Sequence, residues 1–112
     1  MNLSSSIIGA TQIITVEEAR IDAAVAIQFK DRMREVSDGG PARIVLNLCN
    51  VDFIDSSGLG AIVAAMKQLE DGRTLDLCAL TPNVDKVFRL TRMDTIFGIF
   101  DTIDDAVAQR SN

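Results

Sequence analysis

The chain has 112 residues, 47% of them hydrophobic, enough for one compact core and too few for two ordinary domains. Its formal charge of −5, with no histidine and no Lys/Arg cluster, argues against nucleic acid as a partner, because a phosphate backbone would be repelled where counterion release should drive binding. No apolar segment approaches the roughly 18 residues of a membrane span, and MNLSSSIIGA has neither the basic start nor the long apolar stretch of a signal peptide, so a cytoplasmic protein with no membrane partner is expected.

Apolar runs alternate with amphipathic ones without a low-complexity linker, and the expected order is β, β, α, β, α, β, α, β, α. TQIITV at 11–16 is rich in β-branched residues and reads as a strand, with Ile7 and Ile8 before Gly9 as a short strand paired to it. Asp22 stands as the N-cap of a first helix, in which Val25, Phe29, Met33 and Val36 recur at helical spacing until Gly39-Gly40-Pro41 ends the pattern. RIVLNL at 43–48 is a near-continuous apolar run, as expected of a central strand covered on both faces.

Leu59, Ile62, Val63, Met66 and Leu69 form a second helical stripe, closed by Gly72, and TLDLCAL at 74–80 supplies another strand. Thr81-Pro82 offers a hydroxyl cap and a proline at the first helical position to a third helix, whose buried face is Val84, Val87 and Phe88. A last strand near Ile99-Phe100 leads to Thr102-Ile-Asp-Asp105, a capping-box-like pattern with Asp in place of Glu or Gln, and to a helix around Ala106 to Gln109. Strands joined by helices imply parallel pairing with right-handed crossovers, so the expected fold is a single small α/β domain with a mixed, mostly parallel sheet and amphipathic helices. Cys49 and Cys78 lie in apolar segments with no CxxC spacing and no histidine, and read as reduced, buried small hydrophobes rather than metal ligands.

The stretch FIDSSGLGAI, Phe53 to Ile62, is the turn from a strand end into the second helix. On local chemistry alone, Asp55 or Ser56 caps that helix while Gly58 and Gly60 allow close packing. Capping does not need two serines. A nucleophilic serine needs a base, and the usual one is missing; Gly-x-Ser-x-Gly is also absent, and a Ser–Lys pair would have to draw on Lys30, Lys67 or Lys86, which are scattered. Neither GxxxxGK[ST] nor GxGxxG occurs, so nucleotide binding by this chain has no support.

RIVLNLCNVDFIDSSGLGAIVAAMKQL resembles the central motif of STAS domains, in particular of the bacterial anti-sigma factor antagonists, or anti-anti-sigma factors. The resemblance runs over roughly residues 11 to 110: ARIDAA is similar to the family's Gly-Glu-Leu-Asp region, with Ala19 and Arg20 in place of Gly-Glu, and LTPNVDKVFRLTRMDTIFGIFDTIDDAV resembles its C-terminal half. It implies a regulatory binding protein rather than an enzyme, with no cofactor and no metal, that works by partner switching. In such proteins the serine immediately before the glycine, here Ser57, is phosphorylated by a GHKL-type serine kinase that is also the anti-sigma factor. The unphosphorylated antagonist binds that kinase and frees the sigma factor, phosphorylation releases it, and a PP2C-type phosphatase restores it.

Ser56 is the second choice of acceptor, since successive helical residues point about 100° apart and only one hydroxyl can face a kinase. The implied partner surface comprises Asp22, Asp55, Ser56, Ser57, Gly58 and Leu59, on a protein that is a monomer when free. A second role compatible with the resemblance is a constitutive STAS subunit of a larger assembly, such as a lipid-transport ATPase complex.

Overall fold

Ile44, Val45 and Leu46 are fully buried, and the strand that carries them is the middle one of a five-stranded sheet. In the computed structural model, which describes residues 1–108, the chain runs β1 (Leu3–Ile8), β2 (Thr11–Val16), β3 (Arg20–Ile21), α1 (Ala26–Ser37), β4 (Arg43–Asn47), β5 (Phe53–Ile54), α2 (Ser56–Lys67), β6 (Thr74–Cys78), α3 (Pro82–Leu90), a 3-10 turn (Met93–Thr95), β7 (Ile99–Phe100) and α4 (Ile103–Ala108). The large sheet has the order β1-β2-β4-β6-β7. Only β1 and β2 pair antiparallel; the other neighbours are parallel, with Ile44 opposite Gln12 on one side and Leu75 on the other. This is the mixed, mostly parallel α/β arrangement expected from the alternation of apolar runs.

Side chains alternate across the strands and divide the core in two. On one face Ile14, Ile44, Leu46, Leu75 and Leu77 meet Phe29 and Met33 of α1, Ile62 of α2, and Val84 and Phe88 of α3. On the other, Ile13, Val45 and Cys78 lie under Ala106 of α4. Covering β4 from both sides is what its unbroken apolar sequence requires.

Several boundaries differ from expectation, each for a local reason. The first strand is six residues long and includes Ser4, Ser5 and Ser6, because as an edge strand it is exposed along most of its length and needs no apolar pattern. Asp22 does not cap α1: the helix starts at Ala26, and the Asp22 carboxylate instead accepts the Ala24 N–H (3.1 Å) in a turn that precedes it. Thr81 occupies the N-cap position of α3 without a side-chain cap; its hydroxyl donates to the Val51 carbonyl (2.7 Å) and ties the turn after β4 to α3. Cys49 is exposed, because β4 ends at Asn47 and Cys49 lies in the following turn, its N–H bonded to the Asn47 side chain. Cys78 is buried as expected, and burial, aided by the neighbouring Cys49, pushes its thiol up to about 11. The Thr102 hydroxyl does accept the Asp105 N–H (3.0 Å) at the start of α4, and Gln109 lies outside the described residues.

Candidate functional site

No periodicity announces β3 and β5, two residues each, yet their parallel pairing builds the site. Arg20 sits opposite Phe53 and Ile21 opposite Ile54, which brings the turn before α1 alongside the turn before α2. Asp55 then joins the two turns. Its backbone is extended (φ −106°, ψ −175°), one carboxylate oxygen accepts the Gly58 N–H (2.8 Å) as the N-cap of α2, and the other accepts the Ala23 N–H (3.2 Å). Of the two capping candidates the geometry selects Asp55, not Ser56.

Gly58 is buried against β3, where a Cβ would fall 1.9 Å from the Ile21 carbonyl oxygen. Only glycine lets α2 start this close to the neighbouring strand. Gly60 is different: a Cβ there would meet nothing within 4 Å, so the expected close packing belongs to Gly58 alone. Leu59 is partly buried against the core, turned inward rather than towards solvent.

With Asp55 serving as the cap, the two serines are left without an internal role. Ser56 and Ser57 are both exposed, and among the described residues neither hydroxyl has a hydrogen-bond partner. Ser57 lines a shallow depression between α1 and α2 together with Ala26, Ile27, Lys30 and Ala61. Asp22, in the turn before α1, has its side chain 24% exposed and paired to the Arg20 guanidinium at 3.2 Å. That guanidinium stacks over the Phe53 ring, 4.3 Å from its centroid.

The arrangement therefore brings Asp22, Asp55, Ser56 and Ser57 to one end of the fold, with Gly58 and Leu59 supporting it from inside. It adds residues that were not among the expected site residues. Ile27, 73% exposed, and Phe53, 41% exposed, are large apolar side chains beside the two turns. Ile27 carried a readable signal, an isoleucine out of phase with the Val25, Phe29, Met33 and Val36 stripe. Arg20 and Phe53 carried none, since only the parallel register unites them. What the site offers chemically is an exposed hydroxyl on a rigid helix start, in a depression it shares with Ile27 and Lys30, with the Arg20–Phe53 pair on the adjoining strands. That suits modification and protein contact.

Residues 4–106 match the family model described as STAS domain. BtrV of Bordetella bronchiseptica, named as an anti-sigma factor antagonist, is 31% identical over 97 residues, covering 86% of this chain and 84% of its own. A Thermotoga maritima protein whose crystal structure is named as that of an anti-sigma factor antagonist superposes with a TM-score of 0.80 at 27% identity, over 95% of this chain and 92% of its own. The phosphorylated form of the Bacillus cell fate determinant SpoIIAA shares the fold, with a TM-score of 0.66 at 21% identity over 96% and 97% of the two chains. Among the described residues no helix is long and apolar enough to cross a membrane.

Proposed function

The chain belongs to the STAS domain family, and we propose that within it the protein acts as a cytoplasmic anti-sigma factor antagonist controlled by phosphorylation of Ser57. The observation that carries this reading is the division of labour at the α2 start. Asp55 both caps α2 at Gly58 and holds the Ala23 N–H, so the exposed Ser57 hydroxyl is held in place with nothing to do inside the fold. Names of relatives support the class of function, and a fold neighbour exists in a phosphorylated form.

In this reading a GHKL-type anti-sigma factor kinase docks on the face formed by the 22–25 turn, the α2 start and the depression beside Ile27. Docking frees the sigma factor. The kinase moves the γ-phosphoryl of ATP onto Ser57 Oγ, ADP leaves, and the hydroxyl proton passes to a base on the kinase, because among the described residues no side chain accepts a hydrogen bond from that hydroxyl. The phosphoprotein then dissociates, and a PP2C-type phosphatase hydrolyses the ester. Ser57 is preferred to Ser56 because it faces the depression between α1 and α2, the surface that a partner would cover.

The test is incubation with the cognate kinase and ATP, followed by mapping of the modified residue by mass spectrometry. One phosphate on Ser57, absent from Ser57→Ala, is expected. Stoichiometric phosphorylation of Ser57→Ala together with none of Ser56→Ala would assign the switch to the other serine, and no phosphorylation of the wild-type protein would remove it.

A further inference from the structure

Ser57 and Lys30 face the same shallow depression, one from α2 and the other from α1, with Ala26, Ile27 and Ala61 completing its lining. Lys30 is half-buried, as long cationic side chains often are when their stems cover apolar surface. Among the described residues its ammonium has no carboxylate partner, although the arginines Arg20, Arg32, Arg43 and Arg89 all have one. Arg34, one turn further along α1, is engaged with the Gln68 side chain (2.9 Å) and is not free to substitute. Ile27, one turn before Lys30, stands 73% exposed in the same lining.

Resting on the reading of Ser57 as phosphoacceptor, we infer that Lys30 receives the phosphate. The phosphoserine dianion pairs with the Lys30 ammonium across the depression, and the pair lies over Ile27. Phosphorylation then acts on the partner twice: it adds charge to the docking face, and it covers an apolar anchor of that face. A free lysine beside an uncharged hydroxyl has no partner to satisfy; beside a phosphoserine it makes a charge-assisted contact. Ser56, about 100° around the helix, is not part of that lining, so phosphate there is not expected to make the same contact.

The inference is tested with phosphoserine inserted during translation at position 57 or 56, so that the modification does not depend on any kinase. Melting temperatures are measured for the unmodified and phosphorylated proteins, each with and without Lys30→Gln. Loss of Lys30 should lower the melting temperature of the 57-phosphorylated protein by about 1–5 °C more than that of the unmodified protein, the range of an exposed charge pair in a domain of this size. Lys30→Arg should restore the difference, and the 56-phosphorylated protein should not show it. Equal effects of Lys30→Gln on the unmodified and 57-phosphorylated proteins would overturn the inference. The affinity of the ADP-loaded kinase for the two forms is measured alongside. If it binds the 57-phosphorylated protein as tightly as the unmodified one, the switch reading fails, whereas weakened binding with no Lys30 coupling sinks the role of Lys30 alone.

Discussion

A Cβ on Gly58 would stand 1.9 Å from the carbonyl oxygen of Ile21, so the start of α2 and the strand β3 are packed backbone to backbone. Neither can move without the other, and the serines that follow Asp55 inherit that rigidity. Gly58→Ala should therefore destabilise the protein by about 3 kcal/mol or more, because the clash is with main chain rather than with a side chain that could rotate away. Gly60→Ala is the matched control. A methyl there meets open space, and replacing a helical glycine should stabilise by about 0.5–1 kcal/mol. Urea denaturation of both variants checks the pair, and a Gly58→Ala midpoint close to wild type would mean that the two turns are not locked together.

Asp55→Ala removes the cap on Gly58 and the bond to Ala23 together. One cap alone is worth about 1 kcal/mol, so a loss of about 1–2 kcal/mol is expected. Asp55→Asn should fall between, since its amide has one acceptor oxygen where the carboxylate has two. Amide hydrogen exchange makes the local nature of the effect visible: protection should drop at Ala23 and Gly58 well before the β4 amides respond.

How far the sequence reveals this site follows from the physics of each part. The α2 stripe, the central β4 run and the Thr102 cap are local patterns, and they appear in the structure close to where their residues place them. The hydrogen bond from Ala23 to Asp55 depends on the pairing of β3 with β5, strands too short to have a period, so no window of sequence contains it. Asp22 shows the same limit. An acidic residue just before an apolar helical stripe suits a helix cap, and only the fold reveals that it closes a separate turn and pairs with Arg20. Thr81 likewise had two uses for its hydroxyl, and the nearby Val51 carbonyl took it.

Asp22→Asn separates the charge of this residue from its turn. The amide oxygen can still accept the Ala24 N–H, and the lost pair with an Arg20 that is 60% exposed is worth at most about 1 kcal/mol. Stability should change by less than that. If Asp22 meets the partner, the affinity of the ADP-loaded kinase and the phosphorylation rate should each fall about tenfold or more. Calorimetric titration and a kinase assay decide the matter, and unchanged values in both would leave Asp22 with the turn alone.

Cys78 supplies a pH dependence with a definite sign. Its thiol titrates near 9.0 in the unfolded chain and at about 11 when folded, chiefly through burial. Protons are lost first from the unfolded state, so this contribution is complete below pH 9 and is lost as the pH rises towards 11. At about 1.4 kcal/mol per unit, the decline amounts to about 2–3 kcal/mol. Cys78→Val should flatten the stability profile over that window. In the native protein at pH 8, an alkylating reagent should modify the exposed Cys49 and leave Cys78 untouched until the protein unfolds.

Phosphorylation of Ser57 should change binding and leave the fold in place. A phosphate of about −1.5 to −2 in the first turn of α2 gains about 0.3–1 kcal/mol per unit charge from the helix dipole. Repulsion from the Asp55 carboxylate, if the two charges lie about 5 Å apart in water, costs about 1–2 kcal/mol. The two nearly cancel, so the melting temperature should move by no more than about 5 °C. Under a partner the balance changes, because the dianion, even with the Lys30 ammonium beside it, must shed water inside an interface shaped around a neutral hydroxyl, and that desolvation costs several kcal/mol. Affinity for the ADP-loaded kinase should then weaken about a hundredfold or more, each 1.4 kcal/mol being about tenfold. Ser57→Asp reproduces part of this with less charge and fewer acceptor oxygens, and should show the same direction at reduced size. A large fall in melting temperature with unchanged affinity would make Ser57 a structural residue and end its role as the switch.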